Sequence, residues 1–121
     1  MPKFDFEDLD VFQAAVELVV VVDVVAEGLP EGRGYMRNQL RRAANSIPLN
    51  IAEGAGEFSP KEKARFYRIA KRSATETAAQ LIVAKRLGAA QGDELQQARQ
   101  LLLRLVSMLV RMVRSCERRA A

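Results

Sequence analysis

The stretch LQQARQLLLRLVSMLVRMVRSC, residues 95–116, decides the fold class of this chain. An apolar row runs through it at alternating steps of three and four residues: Leu95, Ala98, Leu102, Leu105, Leu109, Met112 and Cys116. Such spacing places the side chains on one face of an α-helix that packs lengthwise against other helices. The stretch therefore predicts a long amphipathic helix over about residues 93–117.

A second apolar row lies beside the first in this helix and consists of Leu103, Val106, Val110 and Val113. Only a narrow polar strip remains, formed by Gln100, Arg104, Ser107, Arg111, Arg114 and Arg118. A helix of a monomeric bundle needs only one apolar stripe. The width of the apolar surface therefore predicts that the chain self-associates.

Turn signals divide the rest of the chain into three more helical segments. They are predicted over about residues 9–27, 33–55 and 60–87. Gly28 ends the first segment, the pair Gly54 and Gly56 ends the second, and Gly88 ends the third.

The third segment has the clearest helix start. Ser59 occupies an N-cap position, Pro60 the first helical position and Glu62 the position where a capping box places its acid. The second segment contains Pro48, which lacks a backbone N–H and crowds the preceding turn. We expect Pro48 to kink that helix.

The first segment contains the run ELVVVVDVV, residues 17–25, whose β-branched side chains favour strands. We nevertheless predict a helix, with Asp8 as its N-cap, because a lone strand would have no partner here. In that helix one edge is polar and another is apolar. The polar edge holds Asp10, Gln13 and Glu17, and the apolar edge holds Phe12, Val16 and Val19.

Length and composition indicate one helical domain. A chain of 121 residues suits a single domain with its own core, and four prolines with seven glycines favour long elements over many short ones. We therefore expect an all-α fold over residues 1–121, an antiparallel up-down four-helix bundle whose second helix is kinked at Pro48.

The side-chain inventory argues against metal and redox chemistry. Histidine is absent and Cys116 is the only cysteine, so an intrachain disulfide and the usual zinc ligand sets cannot form. Because Cys116 occupies an apolar seam, we expect it to be buried. The acidic start MPKFDFEDLD and the short apolar runs predict neither a signal peptide nor a membrane span. We expect a soluble cytoplasmic protein with no cofactor and no metal.

Charge is distributed unevenly along the chain. Residues 1–32 hold one Lys and eight Asp or Glu, a balance of −7, whereas residues 33–121 hold eighteen Lys or Arg and seven acids, a balance of +11. This asymmetry predicts contact with a polyanion, or packing of the acidic first segment against a basic neighbour.

Basic side chains recur at helical spacing in three rows. The rows are Arg33, Arg37 and Arg41; Lys61, Arg65, Arg68 and Arg72; and Arg104, Arg111 and Arg118. A single row of this kind is commonly a solvated helix face. In an assembly each row is repeated, and repeated charge is what binding to a nucleic-acid backbone requires, without groups that read bases.

The second segment also carries a polar face, in RRAANSIPLNIAEG, residues 41–54. Arg42, Ser46, Asn50 and Glu53 follow each other at steps of four, four and three, which places them on one side of a helix. Ser73, Glu76 and Gln80 form a matching row on the third segment. Without a histidine base or a nucleophile paired with a base, the residues argue against catalysis. They favour a buried polar seam between two helices, with a ligand or partner site as the alternative.

The runs YMRNQLRRAANSIPLNIAEGAGEFS and RFYRIAKRSATETAAQL resemble the four-helix bundle proteins encoded in intervening sequences of bacterial 23S rRNA genes. The same fold family includes the accessory protein of diversity-generating retroelements. The resemblance implies a bundle that assembles as a ring, typically a homopentamer, without known enzymatic activity. It also implies a basic surface that, in the retroelement relatives, engages nucleic acid and a reverse transcriptase.

Two functions remain open from the sequence. The first is a non-enzymatic homo-oligomeric bundle that binds RNA, DNA or a nucleic-acid-processing enzyme through the basic rows. The second is a protein-binding or structural scaffold with no direct nucleic-acid contact. Salt dependence distinguishes them, because binding to nucleic acid releases counterions and its affinity therefore falls steeply as the salt concentration rises.

Overall fold

The computed structural model describes residues 1–121 and consists of four α-helices joined by short connections. They are α1 (Asp10–Glu27), α2 (Gly34–Ala55), α3 (Pro60–Arg86) and α4 (Asp93–Ala120). α1 and α3 each pack against both α2 and α4, whereas the diagonal pairs make no contact. The predicted all-α fold, a four-helix bundle, is confirmed.

Contacts between consecutive helices show their direction. Ser46 in the middle of α2 meets Ser73 of α3, while Gly54 at the end of α2 lies against Tyr67 near the start of α3. Arg68 at the start of α3 forms an ion pair with Glu117 at the end of α4. Consecutive helices therefore run antiparallel, in up-down order.

The helix bounds differ from the predicted ones only at the ends. α1 and α2 begin at Asp10 and Gly34, one residue later than predicted, α3 ends one residue earlier at Arg86, and α4 continues to Ala120. Helix ends fray and are the least certain part of any boundary. α2 continues through the buried Pro48, and the kink there stays a prediction.

Gly88 ends α3 as the sequence predicts, because it adopts the left-handed conformation that side chains disfavour. Its φ is 72°. The Gly88 N–H donates to the Lys85 carbonyl at 3.0 Å, and the Ala89 N–H donates to the Ala84 carbonyl at 2.9 Å. These two bonds satisfy carbonyls that a helix end otherwise leaves unpaired.

Two predicted helix starts have different outcomes. Ser59 caps α3, since its Oγ accepts a hydrogen bond from the Glu62 N–H at 3.3 Å. The reciprocal bond of a capping box is absent, because the Glu62 side chain pairs with Arg65 instead. The prediction of Asp8 as the cap of α1 is wrong. Asp8 lies in a short 3-10 turn over residues 5–8 and accepts from Lys3.

One apolar core joins the four helices. It contains 29 buried residues, and the predicted seam of α4 lies within it apart from Met112, which is half-buried at its edge. Cys116 is 2% exposed, as predicted, and its sulfur accepts from Arg119 Nη2 at 3.2 Å. Burial raises the pKa of the neighbouring Tyr67 phenol; Cys116 adds to the rise and Arg119 opposes it.

The face that α1 buries differs from the apolar edge predicted for it. Val16 is 41% exposed, and Phe12 and Val19 are only half-buried. The buried face is instead formed by Val11, Ala14, Ala15, Leu18, Val21, Val22, Val25 and Ala26. The valine run makes α1 apolar on nearly all sides, so its periodicity does not specify the inner face.

Candidate nucleic-acid interface

The α4 arginine row consists of Arg104, Arg111 and Arg118, and all three side chains are exposed. They are seven residues apart, so the row extends about 21 Å along the helix. Arg111 donates to the Ser107 hydroxyl at 2.9 Å, a neutral partner, and none of the three forms an ion pair. Their positive charges are therefore uncompensated within the chain.

The excess of arginine over acidic residues in α4 strengthens the positive electrostatic potential along this row. Residues 95–121 contain six arginines and a single carboxylate, Glu117. Glu117 is engaged by Arg68 of α3 at 3.2 Å, and Arg114 is a further exposed arginine in the polar strip of α4. The exposed side of α4 is therefore the part of the surface best suited to an anionic partner.

The row on α3 is exposed but partly neutralised. Lys61 and Arg72 make no hydrogen bond, whereas Arg65 pairs with Glu62 at 3.3 Å and lies 4.3 Å from the centre of the Phe66 ring. Arg68 pairs with Glu117. Exposed ion pairs of this kind are weak and screened by salt, so Arg65 and Arg68 can exchange their partners for a phosphate at small cost.

The row on α2 is mostly engaged inside the chain. Arg37 donates from Nε to the Ala26 carbonyl at 2.9 Å and from Nη2 to the Leu29 carbonyl at 2.7 Å. Arg41 bridges two carboxylates of α1, Asp23 at 2.9 Å and Glu27 at 2.8 Å. Hydrogen bonds to Glu27 and then Asp23 raise the pKa of the Arg41 guanidinium.

Arg37 and Arg41 are thus engaged within the chain, and their contact with a partner stays a prediction. A guanidinium that holds two carbonyls at the end of α1, or two carboxylates beside it, is not free to bind phosphate without breaking those bonds. Arg33 alone in this row has no side-chain partner and is half-buried.

Replacing Arg37 by Gln should lower the free energy of unfolding by about 2 kcal/mol, because two charge-assisted hydrogen bonds to the end of α1 are lost. Arg33→Gln is the matched control in the same row, and we expect it to change stability by less than about 0.5 kcal/mol. Chemical denaturation of the two variants tests the assignment. Equal effects would show that Arg37 does not anchor α1.

Part of the predicted polar seam exists between α2 and α3. Ser73 Oγ lies 2.9 Å from Ser46 Oγ, and Asn50 Nδ2 donates to the Ser46 carbonyl and hydroxyl at 2.8 and 3.0 Å. Ser73 is 8% exposed, while Ser46 and Asn50 are half-buried. These three side chains satisfy one another where α2 crosses α3.

The charged members predicted for this seam lie outside it. Arg42, Glu53 and Glu76 are exposed and form no ion pair, so their predicted burial is wrong. A charge is costly to bury even when paired, and here solvent is within reach of each. Because Glu53 is exposed and forms no ion pair, Glu53→Ala is expected to have little effect on stability.

The sequence did not predict the groove between α3 and α4. Its cavity volume is about 610 Å³, and it is lined by apolar side chains that include Leu81, Ile82, Leu95 and Leu103. Leu103 belongs to the second apolar row of α4 and is 63% exposed. That row was the one sign of the groove in the sequence. Only the packing of the helices shows that α3 forms the opposite wall.

The structure contains neither a metal-binding cluster nor a membrane-spanning helix. No group of three or more His, Cys, Asp or Glu side chains is placed to hold a metal ion. None of the four α-helices has the length and hydrophobicity of a transmembrane span.

The fold defines a class, the small antiparallel four-helix bundle. Within that class, the chain belongs to the family of 23S rRNA-intervening sequence proteins, whose family model matches residues 7–111. The resemblance found in the sequence is thus confirmed for this family. The relation to the retroelement accessory protein stays a prediction.

A solved structure supports the fold. The chain is similar to the crystal structure of a protein of unknown function from the S23 ribosomal protein family of Bacteroides thetaiotaomicron VPI-5482. The TM-score is 0.79 at 20% sequence identity, over 85% of this chain and 97% of that chain. A comparison with curated proteins finds no match. At this identity the likeness to the solved structure concerns the fold alone.

Proposed function

We propose that this chain is a non-enzymatic, self-associating helical bundle that binds nucleic acid through the α4 arginine row. The observation that carries the proposal is the row itself, three exposed arginines at seven-residue spacing with no carboxylate partner. Seven residues of helix separate successive arginines by about 10.5 Å, so the row presents a line of positive charge about 21 Å long.

The chemistry of the surface suits the nucleic-acid backbone rather than the bases. Phosphate contacts from Arg position a protein on nucleic acid without reading its sequence. Self-association, expected as a pentamer from the family resemblance, would repeat the row once in each copy and raise the effective local charge. Arg65, Arg68 and Lys61 of α3 would add contacts where their exposed ion pairs are exchanged.

The test is a fluorescence-anisotropy titration of the protein, with its assembly mass measured, against labelled structured RNA and duplex DNA at about 50 and 200 mM salt. We expect binding at the lower salt that weakens by at least tenfold at the higher salt, as counterion release requires. Binding that does not respond to salt would contradict a phosphate-directed surface.

Absence of binding at the lower salt would favour the alternative, a protein scaffold whose basic face meets an acidic protein. The proposed function itself includes a second kind of partner, a nucleic-acid-processing enzyme such as the reverse transcriptase suggested by the retroelement resemblance. The same arginine row would serve such a partner through its charge alone.

A further inference from the structure

α1 exposes an apolar ridge that nothing in the chain covers. The valine ridge consists of Val16, Val20 and Val24, which are 41%, 60% and 51% exposed and follow one another at steps of four on one side of the helix. It is about 12 Å long. α1 carries four carboxylates and no Lys or Arg; Arg41 of α2 pairs with two of them, Asp23 and Glu27, so the surroundings of the ridge keep a net negative charge.

The α3–α4 groove has the complementary properties. Seven of its 14 lining residues are hydrophobic, among them Ile82 at 51% and Leu103 at 63% exposure. It extends about 15 Å along α3, enough for the ridge. Its charged lining residues are Lys85 and Arg99, which form no ion pair, and no carboxylate lines it.

We propose that the valine ridge of one copy docks in the α3–α4 groove of a second copy of this chain. An amphipathic helix laid in an apolar groove is a common mode of recognition. Here the lengths agree, apolar surface meets apolar surface, and an acidic helix meets a basic rim. The inference rests on the self-association included in the proposed function and names the surfaces that form it.

The two surfaces lie on opposite sides of the bundle. Val20 and Val24 border α2, beside Arg41 and Asn45, whereas the groove lies between the other two helices. Because each copy uses one surface to bind and offers the other, the contact is head-to-tail. Such a contact repeats from copy to copy until a ring closes. None of the three arginines of the α4 row lines the groove.

Two single substitutions test the docking. Val20→Asn damages the ridge and Leu103→Asn damages the groove, and each should weaken self-association about a hundredfold because a buried amide replaces an apolar contact. Matched controls are Val83→Asn and Leu49→Asn, which stand at similarly exposed positions outside both surfaces, at 51% and 65%. Assembly mass is measured by light scattering and native mass spectrometry, and folding by thermal melting.

Mixing the two damaged variants gives the sharper result. The intact ridge of Leu103→Asn can dock in the intact groove of Val20→Asn. The groove and the ridge that remain free in this pair are the damaged ones, so no third copy can be added. We therefore expect a dimer with one copy of each variant, although neither variant assembles alone. A contact between identical surfaces would give no such rescue.

The outcomes separate this inference from the proposed function. If the unmodified chain assembles and Val20→Asn and Leu103→Asn assemble equally well, the docking is overturned while self-association stands. If the unmodified chain is a monomer at micromolar concentration, both are overturned. Loss of assembly in the control variants alone would place the interface elsewhere and overturn the docking.

Discussion

Replacing Arg104, Arg111 and Arg118 by Ser is expected to lower the affinity for structured RNA or duplex DNA at about 50 mM salt by about a hundredfold. Each phosphate contact contributes about 0.9 to the slope of log affinity against log salt, so three lost contacts reduce that slope by about 2.7. A fourfold rise in salt should then lower the affinity of the variant for nucleic acid by a factor about 40-fold smaller than for the unmodified protein. Anisotropy titrations at several salt concentrations measure both quantities.

The triple Lys variant at these positions is the matched control. It keeps all three charges, and because a lysine contacts phosphate as a point charge, most of the affinity and the slope should remain. All three side chains are exposed, so thermal melting should not change in either variant. An unchanged salt slope in the Ser variant would remove the α4 arginine row from the interface.

The seam of α4 shows what periodicity can predict. Leu95, Leu102 and Leu109 recur at a spacing that only a helix can bring to one side, and all three are buried. Local stop signals were equally informative, because Gly88 adopts a conformation that other residues avoid. Such features depend on the chain within a turn or two, which is why the sequence contains them.

α1 shows where periodicity fails. Its valines are apolar in every direction, so the pattern permits several inner faces, and the neighbouring helices select the one that carries Leu18 and Val22. The exposed valines then remain as a ridge. The sequence could predict a surplus of apolar surface in this chain, and did so for α4, but only packing shows that part of the surplus lies on α1.

The arginine rows show the limit for functional residues. Arg33, Arg37 and Arg41 have the same regular spacing as a free row, yet Arg37 binds carbonyls at the end of α1 and Arg41 binds two carboxylates there. A signal for the second contact was present, since Asp23 and Glu27 are four residues apart on α1. The backbone carbonyls that hold Arg37 leave no trace in the sequence.

The polar face of α2 was predicted as one unit but divides into two parts. Ser46 and Asn50 turn toward α3, while Arg42 and Glu53, at the two ends of the same row, reach solvent. Spacing fixes the side of a helix to within about a quarter turn, and longer charged side chains at the edge of that sector extend outward. The small hydroxyl and amide groups therefore remain between the helices.

Gly54 illustrates a role that its position in the sequence conceals. It was predicted as a helix stop, but it lies within α2 and is buried against α3. A Cβ at this position would come within 2.6 Å of Tyr67 Cε1 and 3.2 Å of Phe66 Cβ. Tyr67 is itself 5% exposed, so its ring has little room to move. The glycine therefore allows α2 and α3 to approach each other closely.

Gly54→Val should lower the free energy of unfolding by about 3 kcal/mol, because added carbon atoms overlap a confined ring and force the two helices apart. Gly34→Val, in the same helix, is the matched control: nothing lies within 4 Å of its Cβ position, and we expect a change below about 0.5 kcal/mol. Chemical denaturation measures both. In the background of Tyr67→Leu the cost of Gly54→Val should shrink, since residues in contact are energetically coupled. An equal cost in both backgrounds would mean that the backbone of α2, rather than contact with Tyr67, requires the glycine.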